Sequence, residues 1–183
     1  VRVLVGCEFS GTTRDAFIAA GHDAVSCDLL PSESPGPHIQ GDVRGVLDQG
    51  WDMMVAFPPC QYLTLANSAR WYETGSQRAR ALELVSDLLH APIARIAVEN
   101  PPGAIGTHIR KATQYAKPWW FGDPFHKLVG LWLSGLEPLR PETWVRPPGL
   151  PPWTRVHRDP RQRSRSFPGI ARAMAEQWGT LTP

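Results

Sequence analysis

A cysteine follows two prolines at the end of an apolar run, in "VAFPPCQ" from Val55 to Gln61. Three chemistries are open to such a thiol. It can fill core space, the commonest fate of a free cysteine. It can bind a metal, but no second cysteine or histidine stands at ligand spacing. It can act as a nucleophile, since a thiolate is soft and reactive. Pro58 and Pro59 stiffen the backbone before Cys60 and hold the sulfur in one place. Glu99 and Asn100 close a second apolar run, "IARIAVEN", just before another Pro-Pro. A carboxyl in that setting titrates high and can donate a hydrogen bond as well as accept one.

The elements around these groups predict how they are held. "VRVLVG", "DAVSCD", "DMMVAF", "IARIAVEN" and "LVGLWLSGL" read as buried strands, with "DMMVAF" in a central parallel position. "TTRDAFIAAG", "SQRARALELVSDLLH" and "PGIARAMAEQW" read as helices. The second of these carries Ala81, Leu84, Val85, Leu88 and Leu89 on one stripe. The proline-rich stretch 29–39 is expected to be irregular, and "GDVRGVL" a short strand edge and turn. Strand and helix in alternation predict a mostly parallel α/β sheet with helices on both faces. Ligands of such sheets bind beyond the carboxyl ends of the strands. That rule selects Glu8, Phe9, Ser10 and Gly11, then Asp28, Asp42, Pro59, Cys60, Glu99 and Asn100. Asp28 suits two ribose hydroxyls, and Asp42 an exocyclic amine; together they fit an adenosine-containing cofactor without a pyrophosphate. Both also read as solvated turn residues.

Composition sets outer limits. With 183 residues, 42% hydrophobic and 20% charged, the chain is expected to form one soluble domain over 1–183. No apolar run approaches membrane-spanning length, and no export signal opens the sequence, so a cytoplasmic setting without membrane partners is expected. Three scattered cysteines make no disulfide framework. A net charge of +2 confines any nucleic-acid surface to a local patch. The run "RVHRDPRQRSRSF" is such a patch, able to neutralise phosphates or simply to lie solvated. Trp119 and Trp120 read either as base-stacking groups or as core.

Taken in order, "EFSG", "CD", "GDV", "FPPCQ" and "VENPPG" resemble the DNA cytosine carbon-5 methyltransferase family. Pro59-Cys60-Gln61 is similar to its nucleophile motif, and Glu99-Asn100 to its Glu-Asn motif. "FGDPFHKLVGLWL" resembles its Tyr-Gly-Val-Pro-Gln-x-Arg-x-Arg segment, and "SFPGIARAMAEQW" its last helix, which closes the cofactor site. The chain is most similar to the compact members carried by bacteriophages. The resemblance implies a Rossmann-like S-adenosylmethionine-dependent fold and methyl transfer to carbon 5 of cytosine in DNA through a cysteine adduct. It implies Cys60 as nucleophile, Glu99 as the acid at ring nitrogen 3 and Lys127 on the ring carbonyl. Phe9, Ser10, Gly11, Asp28, Asp42 and Pro58 would hold S-adenosylmethionine. Pro59, Gln61, Asn100, Arg163 and Arg165 would lie on the DNA side, with Asn100 bracing the Glu99 loop. No metal is implied.

Three departures accompany the likeness. The glycine-rich cofactor loop is here Gly11-Thr12-Thr13, and the Arg-x-Arg pair aligns with Lys127 and Val129. The short proline-rich segment 135–163 stands where the family has a target-recognition domain. That brevity keeps open carbon-5 modification of a free pyrimidine nucleotide by the same thiol chemistry, and the lost arginine pair keeps open a DNA-binding homologue that has lost catalysis.

Overall fold

Seven strands form one sheet in a computed structural model that describes residues 1–65 and 75–180. They are β1 (Arg2–Gly6), β2 (Asp23–Asp28), β3 (His38–Gln40), β4 (Met53–Ala56), β5 (Arg95–Asn100), β6 (Gln114–Ala116) and β7 (Val129–Ser134). Their order is β3-β2-β1-β4-β5-β7-β6, with β1 to β5 mutually parallel. The mostly parallel α/β architecture expected from the alternation is therefore present.

The central strands are apolar without interruption because both their faces are covered. Val3, Val5, Met53, Val55 and Ala97 point into one core, against α1 (Thr12–Ala19) and α6 (Pro168–Gly179). Leu4, Met54, Ala56, Ile96 and Val98 point into the other, against α2 (Gly75–Leu89) and α3 (Ala104–His108). A period of two along each strand thus feeds two hydrophobic layers. Among the described residues, no helix is long and apolar enough to cross a membrane.

Several expectations need correction. The irregular stretch 29–39 runs into β3, which pairs in parallel with β2 from Ser26↔His38 to Asp28↔Gln40. "GDVRGVL" forms a 3₁₀ helix, Val43–Val46, in place of a strand edge: the Asp42 carboxylate accepts the Arg44 N–H at 3.0 Å and starts the turn. β7 runs antiparallel to β5, and β6 antiparallel to β7. The link 117–128 between β6 and β7 carries only a four-residue 3₁₀ helix, Pro118–Phe121. Trp119 and Trp120 are both buried, edge to face at 6.1 Å, so neither is free to stack on a base. Among the described residues, the exposed tryptophan is Trp144, 71% accessible.

The segment 135–163 carries no strand of the sheet and only two four-residue helices, α4 (Trp153–Val156) and α5 (Pro160–Arg163). Leu139 and Trp153 anchor it in the main core. Arg14, on α1, is fully buried. Its guanidinium donates to the hydroxyls of Ser26, Ser32 and Ser34 and to the Pro35 carbonyl, and meets Asp15 at 2.8 Å. It thereby pins the loop after β2 to the helix that follows β1.

Candidate functional site

The chain runs β1, β2, β3 to one side and β4, β5 to the other, so a crevice opens between β1 and β4 at their carboxyl ends. Phe57, Pro58, Pro59 and Cys60 leave β4 there; Glu99, Asn100 and Pro101 leave β5. Thr13 of α1, Lys127, and 163–167 with the first turns of α6 close the remaining sides. The resulting cleft encloses about 570 Å³, including space open to solvent. Cys60 and Glu99, from different strands, both line it.

Backbone contacts lock the two loops together. The Asn100 side chain donates to the Pro58 carbonyl at 2.7 Å, so Asn100 braces the Pro-Pro-Cys turn against β5. Leu65 N–H donates to Pro102 O, and Ala104 N–H to Leu63 O at 2.7 Å. Gly103 makes this approach possible: a Cβ there would lie 1.8 Å from the Leu63 carbonyl oxygen. Gly103→Ala is expected to cost about 1–3 kcal/mol of stability in urea denaturation, and to part the two loops.

The electrostatics differ between the two groups. Cys60 is exposed, while the crowded walls around it desolvate a thiolate and push the thiol up. Lys127 opposes that rise and Glu99 adds to it. Burial likewise holds the Glu99 carboxyl above the usual carboxylate range, with Lys127 pulling it down. The Lys127 ammonium sits 3.9 Å from Glu99 Oε1 and 5.0 Å from the centre of the Phe167 ring. A cation, a carboxyl that burial pushes up and a reachable sulfur therefore share one cleft.

The other residues selected from sequence are divided. Phe9, Ser10 and Gly11 form the turn from β1 into α1; none lines the cleft, and Thr13 does so in their place. Asp28 and Asp42 lie on the same sheet edge: after burial, their charges help push the Cys7 thiol up to about 12. Each also serves its own turn, Asp28 accepting from Leu30 N–H at 2.9 Å and Asp42 from Arg44. Gln61 faces a second, open groove with Arg44, Tyr62 and Arg80, on the other side of Pro58 and Pro59 from the cleft. Arg163 and Arg165 line the cleft, but Arg165 is paired with Glu33 at 2.9 Å.

Sequence reasoning chose as a site residue only one of three polar groups in the cleft. Thr13 Oγ1, Asn100 Oδ1 and Ser166 Oγ are buried, line the cleft and have no hydrogen-bond partner among the described residues. Only Asn100 was singled out, by its place at a strand end and by its motif. Thr13 stood in the loop Gly11-Thr12-Thr13, and Ser166 at the start of "SFPGIARAMAEQW", but neither was chosen as a site residue. Glu8 is buried too, holds the Ser10 hydroxyl on one oxygen and leaves the other unpartnered. Buried polar atoms without partners are rare and call for a ligand or water. No group of three or more His, Cys, Asp or Glu among the described residues could hold a metal ion.

Sheet order and a crevice at the strand reversal define a Rossmann-like α/β fold of the kind found in methyltransferases. Among solved structures, the chain is similar to the Entamoeba histolytica methyltransferase EhMeth, at TM-score 0.54 and 15% identity, over 80% of this chain and 56% of that one. It is also similar to a putative DNA modification methyltransferase encoded within an E. coli prophage, at TM-score 0.46 and 16% identity, over 73% of this chain and 46% of that one. The chain thus spans about half the length of either structure. No protein-family model and no curated protein matches it.

Proposed function

We propose that the chain transfers a methyl group from S-adenosylmethionine to carbon 5 of cytosine in DNA, through a covalent bond between Cys60 and the ring. One observation carries the reading: Cys60 and Glu99 leave different strands and line the same cleft, with Lys127 beside the acid. The sulfur of Cys60 adds to carbon 6 and breaks the ring's aromaticity. Glu99 protonates ring nitrogen 3, so the electron pair released by the addition makes carbon 5 an enamine carbon. Lys127 holds the ring's carbonyl oxygen. S-adenosylmethionine, when bound, would supply an electrophilic methyl: the carbon 5–methyl bond would form as the methyl–sulfonium bond breaks, leaving a neutral thioether. A base then removes the carbon 5 proton, the sulfur–carbon 6 bond breaks and the thiolate leaves, and ring nitrogen 3 returns its proton to Glu99 as aromaticity returns. In duplex DNA the target base must leave the stack to reach Cys60.

The donor set suits the cofactor. Apolar walls from Phe57, Val129, Ile170 and Met174 are interrupted by the unpartnered oxygens of Thr13, Asn100 and Ser166. Asp28 at the end of β2 is available for ribose hydroxyls, with Asp42, Phe9, Ser10, Gly11 and Pro58 around the same sheet edge. A second reading, modification of a free pyrimidine nucleotide, is favoured by the segment 135–163, which is spent on packing Leu139 and Trp153. An oligonucleotide containing 5-fluorocytosine, incubated with S-adenosylmethionine, tests both. The fluorine cannot leave as a proton does, so a DNA enzyme is trapped as a covalent adduct, seen as a mass increase at Cys60. Trapping by the fluorinated nucleotide alone would replace DNA with the free nucleotide. No adduct with either would remove the covalent mechanism.

A further inference from the structure

The five arginines of the stretch 155–165 are not equally available. Arg155, Arg158 and Arg163 meet no carboxylate among the described residues. Arg161 and Arg165 both close on one side chain, Glu33, at 3.1 and 2.9 Å. Glu33 belongs to the loop after β2, and its N–H donates to the Phe9 carbonyl at 2.8 Å, which ties it to the turn after β1. The Arg161 guanidinium also lies over the Phe9 ring, 5.3 Å from its centre. Three distant pieces of chain thus meet at the rim of the cleft, around one carboxylate held between two guanidinium groups.

A carboxylate bridging two arginines occupies the position a phosphodiester oxygen pair would take, because both anions match the planar guanidinium fork. Both arginines are about half exposed, so a phosphate can reach them from solvent once the carboxylate yields. We propose that this rim is the docking surface for the DNA backbone, and that Glu33 is an internal stand-in for a phosphate which the bound strand displaces. The inference rests on the DNA reading above and goes beyond it, since it assigns the backbone contacts and an internal competitor for them. Arg155, Arg158 and Arg163 give first contact; Arg161 and Arg165 engage only as they release Glu33.

Binding of a fluorescently labelled DNA strand without cofactor, followed by anisotropy across a range of salt, is the test. Glu33 holds two exposed ion pairs, each of them weak in water. Glu33→Gln is therefore expected to bind about five- to tenfold tighter than wild type. Its logarithmic salt slope should steepen by about one, because the docking surface carries one negative charge fewer. Glu33→Asp, which keeps the charge, is expected to bind like wild type. Adding Arg161→Gln and Arg165→Gln to Glu33→Gln is expected to cancel the gain, an outcome a general loosening of the loop would not produce. Thermal melts confirm that each variant folds. If wild type binds DNA and Glu33→Gln changes neither affinity nor slope, the inference falls while the methyltransferase reading stands. If no variant binds DNA even at low salt, the docking surface and DNA as substrate fall together. If the Glu33 effects appear but the 5-fluorocytosine adduct does not, the docking surface stands and the covalent mechanism alone is lost.

Discussion

Cys60→Ser is expected to lower methyl transfer to DNA by at least ~10⁴-fold, because a serine hydroxyl at neutral pH does not add to carbon 6 at a useful rate. Tritium transfer from labelled S-adenosylmethionine measures it, on duplex DNA, single-stranded DNA and deoxycytidine nucleotides in parallel. The same variant should lose the 5-fluorocytosine adduct altogether. Stability should shift by no more than about 0.5 kcal/mol, since Cys60 is exposed at the cleft and supports no core contact. That pairing separates chemistry from packing. A core cysteine would give the reverse, with a large stability change and a modest loss of rate. A variant that keeps more than a tenth of wild-type transfer would sink the covalent reading.

Glu99→Gln is expected to reduce transfer by about 10²–10³-fold, the usual contribution of a positioned general acid. An amide can donate a hydrogen bond to ring nitrogen 3 but cannot deliver a proton. The pH dependence carries further information. Burial raises the Glu99 carboxyl above its ordinary value of about 4.3 in the unfolded chain. The folded protein therefore binds that proton more tightly than the unfolded one. Stability from this group is fully present below the unfolded value and is lost as pH rises through the folded one. Glu99→Gln has no such loss, so its stability relative to wild type should grow from pH 4 to pH 8 in urea denaturation. The alkaline fall in wild-type transfer should also weaken in the variant, because Glu99 no longer has a proton to lose. Equal stability differences at both ends of the range would mean that the carboxyl is not desolvated in solution.

Gly103→Ala connects these two predictions. It leaves Cys60 and Glu99 in place chemically but drives a methyl group against the Leu63 carbonyl between their loops. Transfer should fall further than stability alone explains, because rate is sensitive to misplacement of about 1 Å between reacting groups.

Much of the site could be read without coordinates because it lies at strand ends. Cys60, Glu99 and Asp28 each close a short apolar run, and a parallel sheet puts all such ends on one edge. The alternation of period-two and period-3.6 segments predicted that sheet. Lys127 was different: only a motif likeness pointed to it, and its position 3.9 Å from Glu99 comes from the link between β6 and β7. β6 and β3, at three residues each, were too short to stand out from their surroundings. The antiparallel course of β7 was hidden because a buried strand reads the same in either direction.

The local sequence by itself determined the central strands, the three long helices, the stiff turn before Cys60 and the apolar setting of Glu99. Each depends on neighbours within a few residues, through side-chain period, proline geometry or capping. Tertiary structure alone decided that Ser166 and Thr13 share a cleft, that Arg14 is buried among serines, and that Glu33 holds Arg161 and Arg165. Those pairings join residues from 12 to more than 100 positions apart, and charge or hydroxyl chemistry in a sequence does not state which partner it will meet. The folded sheet supplies that choice by bringing loops from separate strands to one edge, where only the groups that fit can pair.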